Sequence, residues 1–379
     1  MIRCCGRWKV KWWRRKEGED SEGSGKDTQP SFFFELRTLQ AATDGFSDKN
    51  RLGKGGFGAV YKGTLANGET VAVKKLSVGS RQGVKEFLNE IKLLLKVQHR
   101  NLVTLLGCCV QGQEKMLVYQ YIPNKSLDYL VFDKSRSAIL DWEKRFRIIE
   151  GVARGILYLH EESQVRIIHR DIKPGNILLD GQYIPKISDF GMARLFPEEE
   201  THLNTYKISG TYGYMAPEYA MHGYLSEKSD MFSFGILTLE IVSGRKNYVA
   251  DVDEVAQDLL NYAWILSQEG KQMNLVDQNL GECNQEQVLL CIQIGLLCCQ
   301  AKVDARPTMF SVVQMLTCDS LSLPKPGKPG LHGRIGGLFS EARASKNTSG
   351  PSSATMSSNY SKNDNFSSDF SNMSTLSVR

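Results

Sequence analysis

Two short polar stretches contain side chains whose types and spacing suit a group transfer. Residues 169–176 read His-Arg-Asp-Ile-Lys-Pro-Gly-Asn, and an Asp-Phe-Gly sequence begins at Asp189, eighteen residues after Asp171. Phosphoryl transfer requires a carboxylate that orients the attacking hydroxyl, oxygen ligands for Mg²⁺ and cations near the developing charge. Asp171 would supply the carboxylate, Asn176 and Asp189 the oxygen ligands, and Lys173 one of the cations.

A glycine-rich stretch nearer the N-terminus could bind phosphate groups. Residues 53–60 read Gly-Lys-Gly-Gly-Phe-Gly-Ala-Val, so the pattern rests on Gly53, Gly55, Gly58 and Val60. Because glycine has no Cβ, its backbone N–H can approach a phosphate oxygen closely. A dinucleotide-binding loop has a similar pattern but requires a helix directly after the glycines. Here strand-like residues follow, and Asn67-Gly68 predicts a hairpin with a type I′ turn, in which both central residues have positive φ.

A lysine on the next predicted strand completes the phosphate-binding set. Strand alternation puts Ala72 and Lys74 on one face and Lys75 on the other. The small Ala72 side chain leaves room for an adenine ring, while the Lys74 ammonium can meet the α- and β-phosphates. The carboxylate partner of Lys74 should come from the following helix, where Glu86 and Glu90 share a face. Spacing does not choose between these two glutamates.

The elements that must position these residues fall into two groups. Alternating strand patterns dominate residues 51–121, with one helix over residues 85–97, and longer helical patterns follow. An α+β fold with a β-rich N-terminal lobe and an α-helical C-terminal lobe is therefore predicted. We divide the chain into a basic, cysteine-containing tether and linker (1–30), a flanking segment (31–46), the catalytic domain (47–321) and a disordered Ser/Asn-rich tail (322–379).

A segment that could be regulated by phosphorylation runs from Asp189 to Ala-Pro-Glu at residues 216–218. It contains several hydroxyl side chains, and we favour Thr205 as the main phosphorylation site, with Thr201 second. A phosphate adds a charge of about −1.5 to −2, and Arg170, beside Asp171, is a suitable cation to receive it.

These motifs together resemble the eukaryotic protein kinases across roughly residues 47–320, and most closely the plant receptor-like kinases of the Pelle type. The resemblance extends to the kinase domains of cysteine-rich receptor-like kinases. The matching stretches are Leu-Gly-Lys-Gly-Gly-Phe-Gly at 52–58, His-Arg-Asn-Leu-Val at 99–103, Gly-Thr-Tyr-Gly-Tyr-Met-Ala-Pro-Glu at 210–218 and Arg-Pro-Thr-Met at 306–309.

The resemblance implies ATP-dependent transfer to Ser or Thr of proteins, with Mg²⁺ as the metal and Mn²⁺ able to substitute. Lys173 and Thr211 are the residues that favour Ser/Thr acceptors. It also implies roles for residues that spacing did not assign: Leu52 in the ATP site, Glu90 as the partner of Lys74, Tyr119 at the back of the pocket, Glu218 paired with Arg306, and His169, Arg170 and Asp230 as structural supports. Two departures from the family pattern are Met231-Phe232 and Gly175, and neither removes a chemical group.

Composition limits the cellular context. A net charge of +5 does not by itself indicate nucleic acid, and nine cysteines without a signal-peptide pattern indicate reduced cytosolic thiols. No apolar stretch is long enough to span a bilayer. Cys4 and Cys5, among basic residues and tryptophans, resemble a palmitoylated segment that binds an anionic leaflet, whereas a solvated basic tail is the alternative. We expect a cytoplasmic protein with peripheral plasma-membrane contact and receptor kinases among its partners.

Two other functions fit parts of the sequence. A pseudokinase or scaffold of receptor complexes would bind ATP or partners without transfer, but it would require a lost catalytic group. A kinase of lipids or small molecules is the other alternative, but the Ala-Pro-Glu segment and Lys173 resemble those of kinases with protein substrates. Both remain alternatives that an assay of phosphate incorporation separates.

Overall fold

A computed structural model of the chain describes residues 32–55, 58–77, 81–197, 200–247, 258–318 and 322–330. The predicted tether and most of the predicted C-terminal tail lie outside these residues, including Cys4 and Cys5. None of the described helices is both long and apolar enough to cross a membrane.

The first lobe is built on one five-stranded antiparallel sheet in the order β1-β2-β3-β5-β4. Its strands are β1 (Arg51–Gly55), β2 (Gly58–Thr64), β3 (Thr70–Leu76), β4 (Leu105–Gln111) and β5 (Glu114–Gln120). Helix α1 (Leu36–Ala42) packs on β2 and β4, and α2 (Arg81–Leu94) packs on β3 and β5. Val71 and Val73 are completely buried in a cluster with Leu39 of α1. Alternation therefore leaves Ala72 and Lys74 on the other face of β3.

The hairpin between β2 and β3 forms as predicted, but its turn differs from the predicted type I′. Gly68 has a φ of +84°, whereas Asn67 is not among the residues with positive φ. Gly68 N–H donates to Leu65 O, and Glu69 N–H donates to Asn67 Oδ1. This is a three-residue loop in which a turn is followed by one left-handed glycine, and the Asn67 side chain stabilises it by bonding the backbone two residues on.

The second lobe is mainly helical and also contains three short strand pairs. Its helices are α3 (Leu127–Val131), α4 (Trp142–Leu157), α5 (Pro217–His222), α6 (Glu227–Ser243), α7 (Leu259–Gln268), α8 (Gln285–Cys298) and α9 (Met309–Thr317). The strand pairs are β6 (Ile167–Ile168) with β9 (Arg194–Leu195), β7 (Ile177–Leu179) with β8 (Pro185–Ile187), and β10 (Leu203–Asn204) with β11 (Tyr224–Leu225). The α+β, two-lobed fold predicted from the sequence is confirmed.

Helix α6 forms the centre of this lobe, since residues 229–243 are all buried. Its first turn is capped by Ser226 and Ser229, whose hydroxyls satisfy backbone N–H groups in a capping box. At Gly235 an added Cβ would lie 2.7 Å from Gly295 O, on α8. Glycine at this position therefore lets the two helices pack closely, and α6 becomes a fixed support for the loops around it.

Residues 322–330, which we call the strap, pack along the second lobe although composition placed them in the disordered tail. Ala301 N–H donates to Lys328 O at 2.9 Å, and Gly330 N–H donates to Cys299 O at 2.9 Å. Gln293 Nε2 donates to Pro324 O at 2.9 Å. The strap is held by these backbone hydrogen bonds, by Leu323, which packs on the core, and by Pro329, which is buried. Composition gave no sign of its order because it does not show which backbone groups are paired.

Candidate active site

The Asp171 carboxylate, only 1% exposed, lies at the centre of the predicted catalytic residues. Asn176 Nδ2 donates to its Oδ2 at 2.7 Å, and Lys173 Nζ lies 2.8 Å from the same oxygen. The Thr211 hydroxyl donates to Asp171 Oδ1 at 2.6 Å and accepts from Lys173 Nζ at 2.6 Å. The structure thus brings together a carboxylate, an ammonium group and a hydroxyl within hydrogen-bonding distance.

The backbone that carries Asp171 is held by one buried carboxylate at the start of α6. Asp230 accepts from His169 N–H at 2.7 Å, from Arg170 N–H at 2.8 Å and from His160 Nε2 at 2.9 Å. Burial favours the neutral acid, but these donors together hold the pKa of Asp230 below its ordinary value. Arg170 itself has a φ of +73°, so Asp230 stabilises a left-handed turn just before Asp171.

His169 links this catalytic segment to the Asp-Phe-Gly segment. Its Nδ1 accepts from Asp171 N–H at 3.3 Å, and its Nε2 lies 3.1 Å from Ser188 O. Because a carbonyl oxygen only accepts, Nε2 carries the proton in this arrangement. The ring also packs edge to face with Phe190, at 5.0 Å between centroids.

The strand pair β7–β8 places the two predicted metal ligands opposite one another. Ile177 pairs with Ile187, so Asn176 and Asp189 extend from the same end of the two strands. Ser188 N–H and its hydroxyl both donate to Asn176 O at 2.9 Å. Asp189 has a φ of +67°, a left-handed conformation that an aspartate adopts at a modest cost.

This pair suits a metal that is completed by the nucleotide rather than enclosed by protein. No group of three or more His, Cys, Asp or Glu side chains suitable for a metal occurs among the described residues. Mg²⁺ is commonly held by one or two carboxylates with phosphate oxygens and waters. Asn176 donates its amide N–H groups to Asp171, and these bonds do not use its side-chain oxygen, which can serve as a metal ligand. The donor set therefore fits a divalent cation that prefers oxygen ligands.

Lys74 lies on the face of β3 that strand parity assigned to it, and it connects α2 to the Asp-Phe-Gly segment. Its Nζ lies 3.0 Å from Glu90 Oε2 and 2.9 Å from Asp189 Oδ1. Burial disfavours the ammonium form, but these two carboxylates raise the pKa of Lys74 well above its ordinary value. The side chain is therefore charged at physiological pH. The direct contact between Lys74 and Asp189 was not predicted from the sequence.

The structure identifies Glu90 rather than Glu86 as the partner of Lys74. Glu86 instead accepts from Gln82 Nε2 at 2.6 Å, and burial raises the pKa of its carboxyl. Tyr119 OH donates to the second Glu90 oxygen at 2.5 Å. On β5, Tyr119 is the register partner of Ala72, so its phenol lies on the same face of the sheet as Ala72 and Lys74.

The glycine-rich stretch forms the end of the β1–β2 hairpin. Gly53 pairs with Val60, and Gly55 pairs with Gly58, while residues 56–57 lie outside the described part. An added Cβ at Gly58, where φ is +143°, would lie 1.9 Å from Lys75 O. Gly58 is therefore required by its contact with β3. Leu52, at 43% exposure, is an apolar side chain on β1 of this hairpin.

Asn89 is a site residue that sequence reasoning missed. Its Nδ2 lies 3.2 Å from Phe190 O, 3.0 Å from Gly191 O and 2.7 Å from Ala193 O. One amide group thus ties α2 to the backbone that follows Asp189. Its only sequence signal is its position next to Glu90, where it resembles any polar residue on a helix surface.

Arg170 contacts the segment between Asp189 and residue 218, but it does so through backbone and a tyrosine. Its guanidinium donates to Met192 O at 3.1 Å, to Lys207 O at 3.4 Å and to the Tyr219 hydroxyl. Thr205 is partly buried, and its hydroxyl accepts from Lys207 N–H at 3.2 Å. Thr201 is exposed. Thr205 thus contacts Lys207, whose carbonyl Arg170 binds.

The end of this segment is fixed by a bidentate ion pair. Arg306 NH1 and NH2 donate to the two Glu218 carboxylate oxygens at 2.7 and 2.9 Å. The Arg306 side chain is completely buried and lies over the Phe232 ring. Such a planar, two-point pair fixes orientation as well as distance.

A second buried carboxyl supports the same segment from α6. The Tyr214 hydroxyl and Asn247 N–H donate to Glu240 Oε1 at 2.8 and 2.7 Å. Glu240 Oε2 is buried without a hydrogen-bond partner among the described residues. Burial raises the pKa of this carboxyl from 4.5 to about 8. Glu240 is thus protonated at neutral pH.

This pKa predicts a pH-dependent loss of stability. Between about pH 4.5 and pH 8 the folded state keeps the Glu240 proton and the unfolded state does not, so stability falls as pH rises through this interval. Glu240→Gln removes that titration. Between pH 5.5 and 8.5, the Tm of the wild type should fall by at least about 2–4 °C more than the Tm of Glu240→Gln. A shift of this size corresponds to ~1 kcal/mol of stability. Parallel curves for the two proteins would contradict the prediction.

Comparison with known proteins identifies the family. A family model described as the protein kinase domain matches residues 46–316. Cysteine-rich receptor-like protein kinase 10 of Arabidopsis thaliana is 54% identical over 317 residues, which cover 83% of this chain and 47% of that protein. A G-type lectin S-receptor-like serine/threonine-protein kinase from the same plant is 52% identical over 309 residues, covering 81% of this chain and 36% of the relative.

The chain spans about half the length, or less, of these relatives. Within the shared part it carries the two-lobed fold and the residues that the motifs predicted, which confirms the resemblance to plant receptor-like kinases. Membership of this family implies the use of ATP and a divalent metal ion. The chain belongs to the protein kinase family.

Proposed function

We propose that this chain transfers the γ-phosphoryl group of ATP to serine and threonine hydroxyls of proteins. The observation that carries the proposal is the Thr211 hydroxyl, which lies 2.6 Å from both Asp171 Oδ1 and Lys173 Nζ. A hydroxyl oxygen beside a carboxylate and an ammonium group is the arrangement that an attacking substrate hydroxyl needs.

Each proposed catalytic group has one task. Asp171 orients the acceptor hydroxyl and takes its proton as the new oxygen–phosphorus bond forms and ADP leaves. Lys173 stabilises the charge on the transferred group, and Lys74 holds the α- and β-phosphates. Mg²⁺, or Mn²⁺ in its place, would be held by Asn176 and Asp189 and supplies charge neutralisation of the phosphates when bound.

The test is an assay with γ-labelled ATP and three peptides that differ only in one acceptor, Ser, Thr or Tyr. We expect incorporation into the Ser and Thr peptides at rates at least about tenfold above Tyr, since an extended phenol places its oxygen differently from Thr211. Incorporation into a lipid or into none of the peptides would overturn the proposal. ATP binding without transfer would favour the scaffold alternative. The sequence itself does not favour a scaffold, because it lacks none of the expected catalytic groups.

Regulation through the segment that contains Thr205 and Thr201 forms a second part of the proposal. Thr205 is favoured because its neighbour Lys207 contacts Arg170 through its carbonyl, at 3.4 Å. A phosphate on Thr205 would add a dianion near this cation and order the segment. Thr205→Ala should therefore lower the activity gained on autophosphorylation by about tenfold or more, whereas Thr201→Ala should lower it less. Equal activity of wild type and Thr205→Ala after autophosphorylation would contradict this.

The cellular setting is also proposed from the relatives. Their names describe receptor-like kinases, which supports receptor kinases as partners and a cytoplasmic position at the plasma membrane. Cys4 and Cys5, outside the described residues, are the proposed acylation sites. A fluorescent fusion should leave the membrane when both cysteines are changed to serine. Retention of the double variant at the membrane would contradict acylation.

A further inference from the structure

We infer that the strap, residues 322–330, positions the segment ending at Glu218 and thereby contributes to kinase activity. The strap contacts that segment directly as well as through other residues. An added Cβ at Gly330, which is buried, would lie 3.2 Å from Pro217 Cγ, so the strap backbone packs on the residue beside Glu218. The inference rests on the proposed protein kinase activity and adds a positioning element to it.

A second connection runs through Gln300. Gly327 N–H donates to Gln300 Oε1 at 2.7 Å, and Gln300 is 8% exposed. The Gln300 amide donates in turn to Leu297 O at 3.1 Å and to Ala305 O at 2.7 Å. Every hydrogen-bonding group at the end of this side chain is thus engaged, which leaves it one orientation.

Gln300 then holds the buried arginine of the ion pair. Arg306 Nε donates to Gln300 O at 2.8 Å, while the two terminal nitrogens of Arg306 bind Glu218. Two contacts therefore depend on where Gln300 lies: the bond from Arg306 Nε to Gln300 O and the bond from Gln300 Nε2 to Ala305 O. The strap fixes that position, since Ala301 N–H donates to Lys328 O at 2.9 Å.

A change in the strap should affect binding of the protein substrate and not binding of ATP. The segment that ends at Glu218 carries Thr211, which touches Asp171 and Lys173 on the side of the acceptor hydroxyl. The residues proposed to hold the nucleotide belong to the other lobe, and among the described residues none of them contacts the strap. Loosening the strap should therefore weaken binding and orientation of the acceptor while the KM for ATP stays the same.

The test compares Gly327→Pro with Lys325→Ala in the full chain. Proline removes the N–H that binds Gln300, whereas the exposed Lys325 side chain lies in the same strap without a partner among the described residues. Gly327→Pro should raise the KM for a protein substrate and lower kcat/KM about fivefold, the loss expected from one hydrogen bond. Lys325→Ala should match the wild type. The active fraction is measured by the stoichiometry of ATP-analogue binding.

Deletions provide a second comparison. Removal of residues 331–379 leaves the strap in place and should not change the KM for the protein substrate. Removal of residues 322–379 should raise this KM at least as much as Gly327→Pro does. Unchanged protein-substrate KM in both Gly327→Pro and the longer deletion would overturn the inference, as would a fall in active fraction with both KM values unchanged. Absence of transfer by the wild type would instead contradict the proposed kinase activity.

Discussion

Asp171→Asn is expected to lower kcat by about 10²- to 10⁴-fold, because it removes the group that we propose takes the proton of the acceptor hydroxyl. Asparagine has nearly the same shape, and its carbonyl oxygen can still accept from Thr211 or Asn176. The geometry should therefore persist while the base is lost. Transfer to a Ser peptide and binding of an ATP analogue, measured on the same preparation, separate these two effects.

Asp180→Asn is the matched control for this substitution. The Asp180 Oδ1 accepts N–H groups of Gln182 and Ile184 at 3.0 and 2.9 Å in a turn between β7 and β8, and an asparagine can accept the same bonds. This variant should keep wild-type kcat within about twofold, as expected for a substitution that preserves a local turn. If Asp171→Asn retained more than about a tenth of wild-type kcat, the role proposed for Asp171 would be wrong.

Lys74→Met is expected to reduce kcat/KM by about 10²- to 10³-fold, the usual cost of losing one cation that stabilises a transferred group. The change also leaves Glu90 and Asp189 close together without the ammonium that lies between them. Two carboxylates in a buried site repel, so the Asp189 ligand should move from its position. Steady-state rates across a range of ATP concentrations measure the loss.

The neighbouring Lys75→Met is its control, since it makes the same chemical change on the opposite face of β3. Lys75 Nζ pairs with Glu114 at 3.0 Å and lies 4.6 Å from the centre of the Phe46 ring. A partly exposed pair of this kind contributes about 0–1 kcal/mol to stability and nothing to transfer. Equal losses in the two lysine variants would show that strand parity had identified the wrong residue.

The positions of Lys74, Asp171, Asn176 and Asp189 could be predicted because local rules determine them. Strand alternation separates Lys74 from Lys75, and the motifs carry their own spacing around Asp171. The choice between Glu86 and Glu90 could not be made this way, since both lie on one helix face and both are buried. The rotation of α2 against the sheet decides it, and that rotation depends on packing between elements distant in sequence.

Contacts made by backbone atoms were the least predictable part of the site. Asn89 binds three carbonyl groups about a hundred residues away, and no property of its neighbours indicates that contact. The order of the strap was not predicted for the same reason. The composition of a segment indicates how much apolar surface it can bury, but it does not show which backbone groups are paired. The prediction of a type I′ turn at Asn67 was wrong because a hydrogen bond of the Asn67 side chain stabilises a different loop.

The hydrogen bond from Tyr119 to Glu90 has a consequence for inhibitor design. The phenol lies beside Ala72 on the same face of the sheet and is held there by Glu90, so a drug-like compound in the adenine position could not extend through the space that the ring occupies. Compounds with a bulky group directed at Tyr119 should be ineffective against the wild type. Tyr119→Gly would open a compartment the size of a phenol ring, and a bulky adenine analogue built to fill it would then inhibit this kinase while sparing its relatives with a large side chain there.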